Sequence, residues 1–121
     1  MKKYSICNVL EYVHISDVEL DDDVITLKEG ASFSRISAKS KIIYQTDTET
    51  PDPGTILKEV VTIVTGIDSV SDLLNRKQNY LLRLTIDDKK IIVGSIDYPA
   101  RKIYSDNKII ATITFTRQSA L

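Results

Sequence analysis

The strictest pattern in the chain lies between Asn79 and Arg117, where apolar and polar residues alternate. In Tyr80-Leu81-Leu82-Arg83-Leu84-Thr85-Ile86, the positions Tyr80, Leu82, Leu84 and Ile86 share one face, while Leu81, Arg83 and Thr85 share the other. That two-residue period belongs to a strand with one face buried, because successive side chains leave an extended backbone on opposite sides. Asp87-Asp88-Lys89-Lys90 interrupts the run as a polar tip, and Ile91 to Ile96 resumes it. Two such runs across a short tip predict a hairpin. Arg101 to Ser105, a tip at Asp106-Asn107-Lys108, and Ile109 to Arg117 predict another, so the C-terminal third reads as a β-meander.

The remaining segments fit around this one. Tyr4 to Val13 alternates less regularly, with Cys7, Val9 and Val13 on one face, which predicts a strand bulged near Asn8. His14 to Leu20 reads as a loop ended by three acids, and Val24 to Lys28 as a short β-branched strand closed by Glu29-Gly30. Small residues dominate 31–40, so that stretch is an exposed strand or a flexible excursion. Lys41 to Thr46 predicts a strand. In Thr46 to Gly54, Pro51 and Pro53 lack amide donors, which predicts a surface loop. The β-branched run in Thr55 to Thr65 predicts a central strand covered on both faces. Ser69-Val70-Ser71-Asp72 is a minimal capping box, and one short helix is predicted near residues 69–78.

Together these predict a mainly β fold of α+β type over residues 1–121 as one domain. It is an antiparallel β-sandwich or partly open barrel of about seven to eight strands, the helix lying across an edge. One helix cannot supply the crossovers of a parallel sheet. No apolar run approaches the roughly 20 residues of a membrane-spanning helix, so no membrane partner is expected. Asn8, Glu11 and His14 fall where a secretion signal would need an apolar core. The single Cys7 makes no internal disulfide and fits a reducing compartment.

Charge is unevenly distributed. Residues 1 to 30 carry three basic and seven acidic side chains, residues 31 to 80 six of each, and residues 81 to 121 seven basic and four acidic. Two unlike surfaces favour head-to-tail contact between copies. A pI near 5.8 argues against direct nucleic-acid binding. The candidate self-association residues are therefore Lys89 and Lys90 on the basic side and Asp21, Asp22 and Asp23 on the acidic side.

No side chain is assigned to catalysis, a cofactor or a metal. His14, the only histidine, has no nucleophile or acid at a recognisable spacing and is expected to face solvent from a strand. Cys7 reads as a small buried apolar group. Asp21-Asp22-Asp23 lacks the spacing and glycine of a calcium loop and reads as a solvated turn. Gly94, alone inside a strand, marks a bulge or a close backbone approach.

The segments Leu82–Ile86, Ile91–Ala100 and Ile110–Ser119 together resemble the closing region of small tail-associated proteins of bacteriophages and prophages, of the tail-tube or tail-completion type. The resemblance implies a non-enzymatic structural subunit that assembles into a ring, lends a strand edge to its neighbour and joins other tail proteins. It further implies that 31–40 and 46–54 order on assembly, and that the protein is cytoplasmic during assembly and then part of the virion. The alternative is a stand-alone β-barrel that binds a peptide, sugar or small ligand, and an enzyme is not expected.

Overall fold

The computed structural model describes residues 2–21, 25–36, 38, 41–49, 56–66, 79–106 and 109–120. Eleven strands lie among them: β1 (Lys2–Cys7), β2 (Val9–His14), β3 (Val18–Asp21), β4 (Ile25–Leu27), β5 (Ser34–Ile36), β6 (Ile42–Glu49), β7 (Ile56–Gly66), β8 (Asn79–Ile86), β9 (Lys89–Val93), β10 (Ala100–Asp106) and β11 (Ile110–Ala120). The mainly β, antiparallel fold read from the sequence is present. Its strand count exceeds the expected seven to eight because several long strands are broken where they change partner. The helix expected near 69–78 lies outside the described residues.

Every pairing in the main sheet is antiparallel, in the order β1-β6-β7-β11-β10-β8-β2-β5, with β9 also on β8. The sheet curls back on itself. β1 pairs with β6 and β2 with β8, yet the two are one stretch of chain interrupted only at Asn8, so the first and seventh positions are covalently joined. Tracing opposed residues from Tyr4 through Gln45, Val60, Thr116, Arg101 and Asn79 returns to the same stretch next to His14. That offset is the stagger of a barrel with tilted strands.

Asn8 is the corner. Its amide donates to Thr85 O at 2.7 Å and its side-chain oxygen accepts from the Asp87 amide at 3.2 Å. The bulge there reverses the alternation, so Cys7 shares the interior with Leu10 and Tyr12, whereas Val13 points to the outer face. This corrects the expectation that Cys7 and Val13 share one face. The bulge itself was expected.

The interior is filled by Leu10, Ile36, Ile42, Val61, Ile63, Tyr80, Leu82, Leu84, Val93, Ile113 and Phe115, all buried. Tyr80 stands at its centre, edge-on to Tyr12, His14 and Phe115 at 5.5–5.8 Å. On β7 the inward residues are buried and the outward ones half-buried, so it is central within the sheet. Outside the barrel, β3 and β4 form a separate hairpin that packs Val18, Ile25 and Leu27 with Val13 and Leu81. The expected loop over 14–20 is thus a 3₁₀ turn at Ile15–Asp17 followed by strand β3.

The C-terminal third is two hairpins and not a meander, because β9 and β10 never pair. Both run along the same edge of β8, β9 on Leu82–Ile86 and β10 on Asn79 and Tyr80, and β10 then carries β11. Between them the chain leaves the sheet over 94–99. Gly94 permits this: its φ is +109°, and its Cα lies where a side-chain carbon would sit 3.2 Å from both Ala100 N and Tyr80 O. Close backbone approach, one of the two expected readings of this glycine, is what the structure shows.

The first hairpin tip has two residues rather than four. Ile86 pairs with Lys89, and Asp87 and Asp88 both take positive φ, 49° and 67°, as a type I′ turn requires. Aspartate tolerates that conformation less well than glycine, so Asp88→Gly should raise the unfolding free energy by about 0.5–1 kcal/mol in urea titrations. A lower midpoint would contradict the turn assignment.

Candidate functional site

Two polar clusters and one groove stand apart from the packed interior. The first cluster is built on inward positions of three neighbouring strands, β6, β7 and β11. Glu59 and Arg117 are directly opposed residues of β7 and β11, and Tyr44 projects inward from β6. The Glu59 carboxylate accepts from Tyr44 Oη at 2.5 Å and from Arg117 Nη1 at 2.6 Å. Glu59 is buried, and Arg117 mostly so. Arg117 Nε also donates to Tyr98 O at 3.2 Å, tying the 94–99 excursion to the barrel. Within that excursion, Ser95 N donates to Tyr98 O at 3.1 Å and Tyr98 N to Ser95 Oγ at 3.0 Å.

Burial, reinforced by the Glu59 acceptor, pushes the Tyr44 hydroxyl well above its ordinary range. A phenol held protonated and already donating to a carboxylate is a poor general base. The carboxylate in turn is occupied by two donors. This triad closes one end of the barrel, and its chemistry is that of a buried structural pair.

The second cluster lies on the outer face of β2 and β8. Arg83 makes a two-pronged pair with Glu11, Nε to Oε1 at 3.0 Å and Nη2 to Oε2 at 2.9 Å, and its guanidinium stacks 4.1 Å from the Phe33 ring centre. The hydrogen bonds from Arg83 hold the Glu11 carboxyl below its ordinary value. Since the folded state binds this proton more weakly than the unfolded chain, the stabilisation is complete above the ordinary carboxylate range and disappears as pH falls through the depressed value. Glu11→Gln should therefore lower stability by about 0.5–1 kcal/mol at pH 7, and the gap from wild type should close in acid. A gap that persisted at pH 2 would refute the pairing as its source.

The groove lies beside β1. Only β6 pairs with this strand among the described residues, so its other edge runs open past the Asp87-Asp88 turn. Tyr4, Ser5, Ile6, Ile43, Ile86 and Asp87 line a depression of about 490 Å³. Tyr4 is 65%, Ile6 54% and Ile43 41% exposed. Ile6 and Ile43 are a cross-strand pair, so the apolar surface is continuous.

The residues singled out from sequence are not brought together. Lys89 and Lys90 are exposed and belong to β9, immediately after the turn. Asp21 ends β3, opposite Ile25. Asp22 and Asp23 lie outside the described residues, as do 50–55 of the expected loop; β6 runs through Glu49. Within 31–40, residues 34–36 form β5 on β2. His14 is half-buried rather than solvent-facing: its Nδ1 accepts from Ser16 N at 3.1 Å, capping the 3₁₀ turn, and its ring meets Tyr80 edge-on. Cys7 is buried, its thiol pushed up to about 11 by that burial. Lys102 is buried beside Tyr80, with Nζ 3.5 Å from its hydroxyl, and burial lowers its pKa.

Among the described residues, no three His, Cys, Asp or Glu side chains converge as a metal would need, and no helix is long and apolar enough to cross a membrane. The β1 groove and the Glu59 triad escaped sequence reading. The triad did leave a signal: Glu59 falls in phase with Val61 and Ile63, and Arg117 with Ile113 and Phe115, which places opposite charges at inward positions. No family model, curated protein or solved structure matches this chain.

Proposed function

We propose that the chain is a non-enzymatic structural subunit of a phage or prophage tail that assembles into a ring with copies of itself and joins other tail proteins. The observation that carries this reading is the presence of unpartnered strand edges of unlike charge. β9 pairs only with β8 among the described residues and presents Lys89 and Lys90, with Ile92 exposed beside them. The β3–β4 hairpin pairs with no other described strand and carries Glu19 and Asp21. β9 starts opposite Ile86, whereas β3 and β4 pack over Leu81 near the other end of β8, about 16 Å away along the strand. A basic edge and an acidic edge set apart in this way suit the heterologous contacts that close a ring.

The test is light scattering with native mass spectrometry over a concentration series. A closed oligomer of uniform size supports the reading. A monomer at every concentration that also fails to join tail components overturns it in favour of a free-standing binding module. Reversing Lys89 and Lys90 to glutamate should shift assembly to higher protein concentration, and more so at low salt, since exposed charges are screened over about 10 Å at 0.1 M. An unchanged assembly curve at all ionic strengths would remove β9 from the contact.

A further inference from the structure

We propose that the open edge of β1 is a two-fold self-recognition site, on which β1 of a second copy pairs antiparallel with Ser5 opposite Ser5. This goes beyond the ring reading, because it uses none of the residues assigned to the ring contact. The backbone supplies the template. Asn8 sends its amide to Thr85 O on the open side, and strand amides alternate, so those of Ile6 and Tyr4 face the same side. Unpaired edge groups of this kind accept another strand by backbone hydrogen bonding.

Sequence then selects the register. With Ser5 on the axis, Tyr4 of each copy lies opposite Ile6 of the other, and aromatic with β-branched residues is a favourable cross-strand combination. Tyr4 and Ile6 project outward with Ile43 beside them, so pairing covers the continuous apolar surface of both molecules. The same register sets Lys3 opposite Cys7 and keeps the Lys2-Lys3 ends of the two strands apart. It brings each of those ends beside the Asn8 corner of the other copy, where Asp87 and Asp88 form the turn. Shifting the axis by one residue, to Tyr4 or Ile6, loses the reciprocal Tyr4–Ile6 match. A self-complementary strip with opposite charge at its ends is what an isologous contact needs.

The experiment uses single-cysteine proteins in a Cys7→Ala background. Residues opposed across antiparallel strands have Cα atoms about 4.5–5.5 Å apart, within disulfide range. Ser5→Cys should oxidise to a covalent dimer at least about tenfold faster than Ser34→Cys on exposed β5, because pairing raises the local thiol concentration. A Tyr4→Cys or Ile6→Cys dimer forming faster than the Ser5→Cys dimer would overturn the register. Equal rates for Ser5→Cys and Ser34→Cys would overturn the site. A second measurement avoids engineered thiols: sedimentation of Ile6→Lys, an outward substitution, should show loss of the dimer at concentrations where wild type forms it. An unchanged dimer in Ile6→Lys overturns the proposal. Lys89→Glu/Lys90→Glu should leave the Ser5→Cys dimer intact, so failure of the ring and failure of the two-fold contact are separately visible.

Discussion

Glu59→Ala should lower the unfolding free energy by about 3–5 kcal/mol, because it leaves the Arg117 guanidinium and the Tyr44 hydroxyl without their shared acceptor in a buried site. Truncating one member of such a pair costs more than the pair is worth, since the remaining charge stays desolvated. The partial exposure of Arg117 places the expectation near the lower end of that range. Glu59→Gln should fall between wild type and Glu59→Ala, retaining an acceptor for the phenol while losing the charge. Chemical denaturation with matched slopes gives the comparison. A loss below about 1 kcal/mol for Glu59→Ala would mean that water already satisfies the arginine, and that the triad does not close the barrel end. Arg117 also holds Tyr98 O, so Arg117→Ala should in addition speed amide exchange over 94–99.

Gly94→Ala should have the next largest effect, about 1–3 kcal/mol from the backbone alone, because an L-residue at φ +109° is strained. The new methyl group would also press on Ala100 N and Tyr80 O, each 3.2 Å from its position, and both are backbone atoms of paired strands. Relief requires β10 to move from β8 just where the chain re-enters the sheet. Loss of amide protection should therefore concentrate at Asn79, Tyr80, Ala100 and Arg101, the short β8–β10 seam. Wild-type stability in Gly94→Ala would show that the excursion relaxes freely and that the glycine is not required there.

The two arguments depend on features with different legibility in the primary structure. Alternation announced β8, β11 and the inward rows of the barrel, because burying one face of a strand writes a two-residue period into the chain. It also announced the corner at Asn8 and the tight approach at Gly94, since broken alternation and an isolated glycine are local signals. Pairing was another matter. That β9 and β10 share one edge of β8, and that β1 and β2 take different partners, depends on which distant strands arrive alongside. The same holds for the meeting of Tyr44, Glu59 and Arg117, which lie far apart in sequence and touch only through the β6·β7·β11 register.

Thus strand character and the division into inner and outer faces were set by local periodicity, which acts through a few neighbouring residues. The closure of the sheet, the buried triad and the open β1 edge were decided only in three dimensions. Each depends on the stagger of a curved sheet, a sum over six pairings that no short window of residues contains.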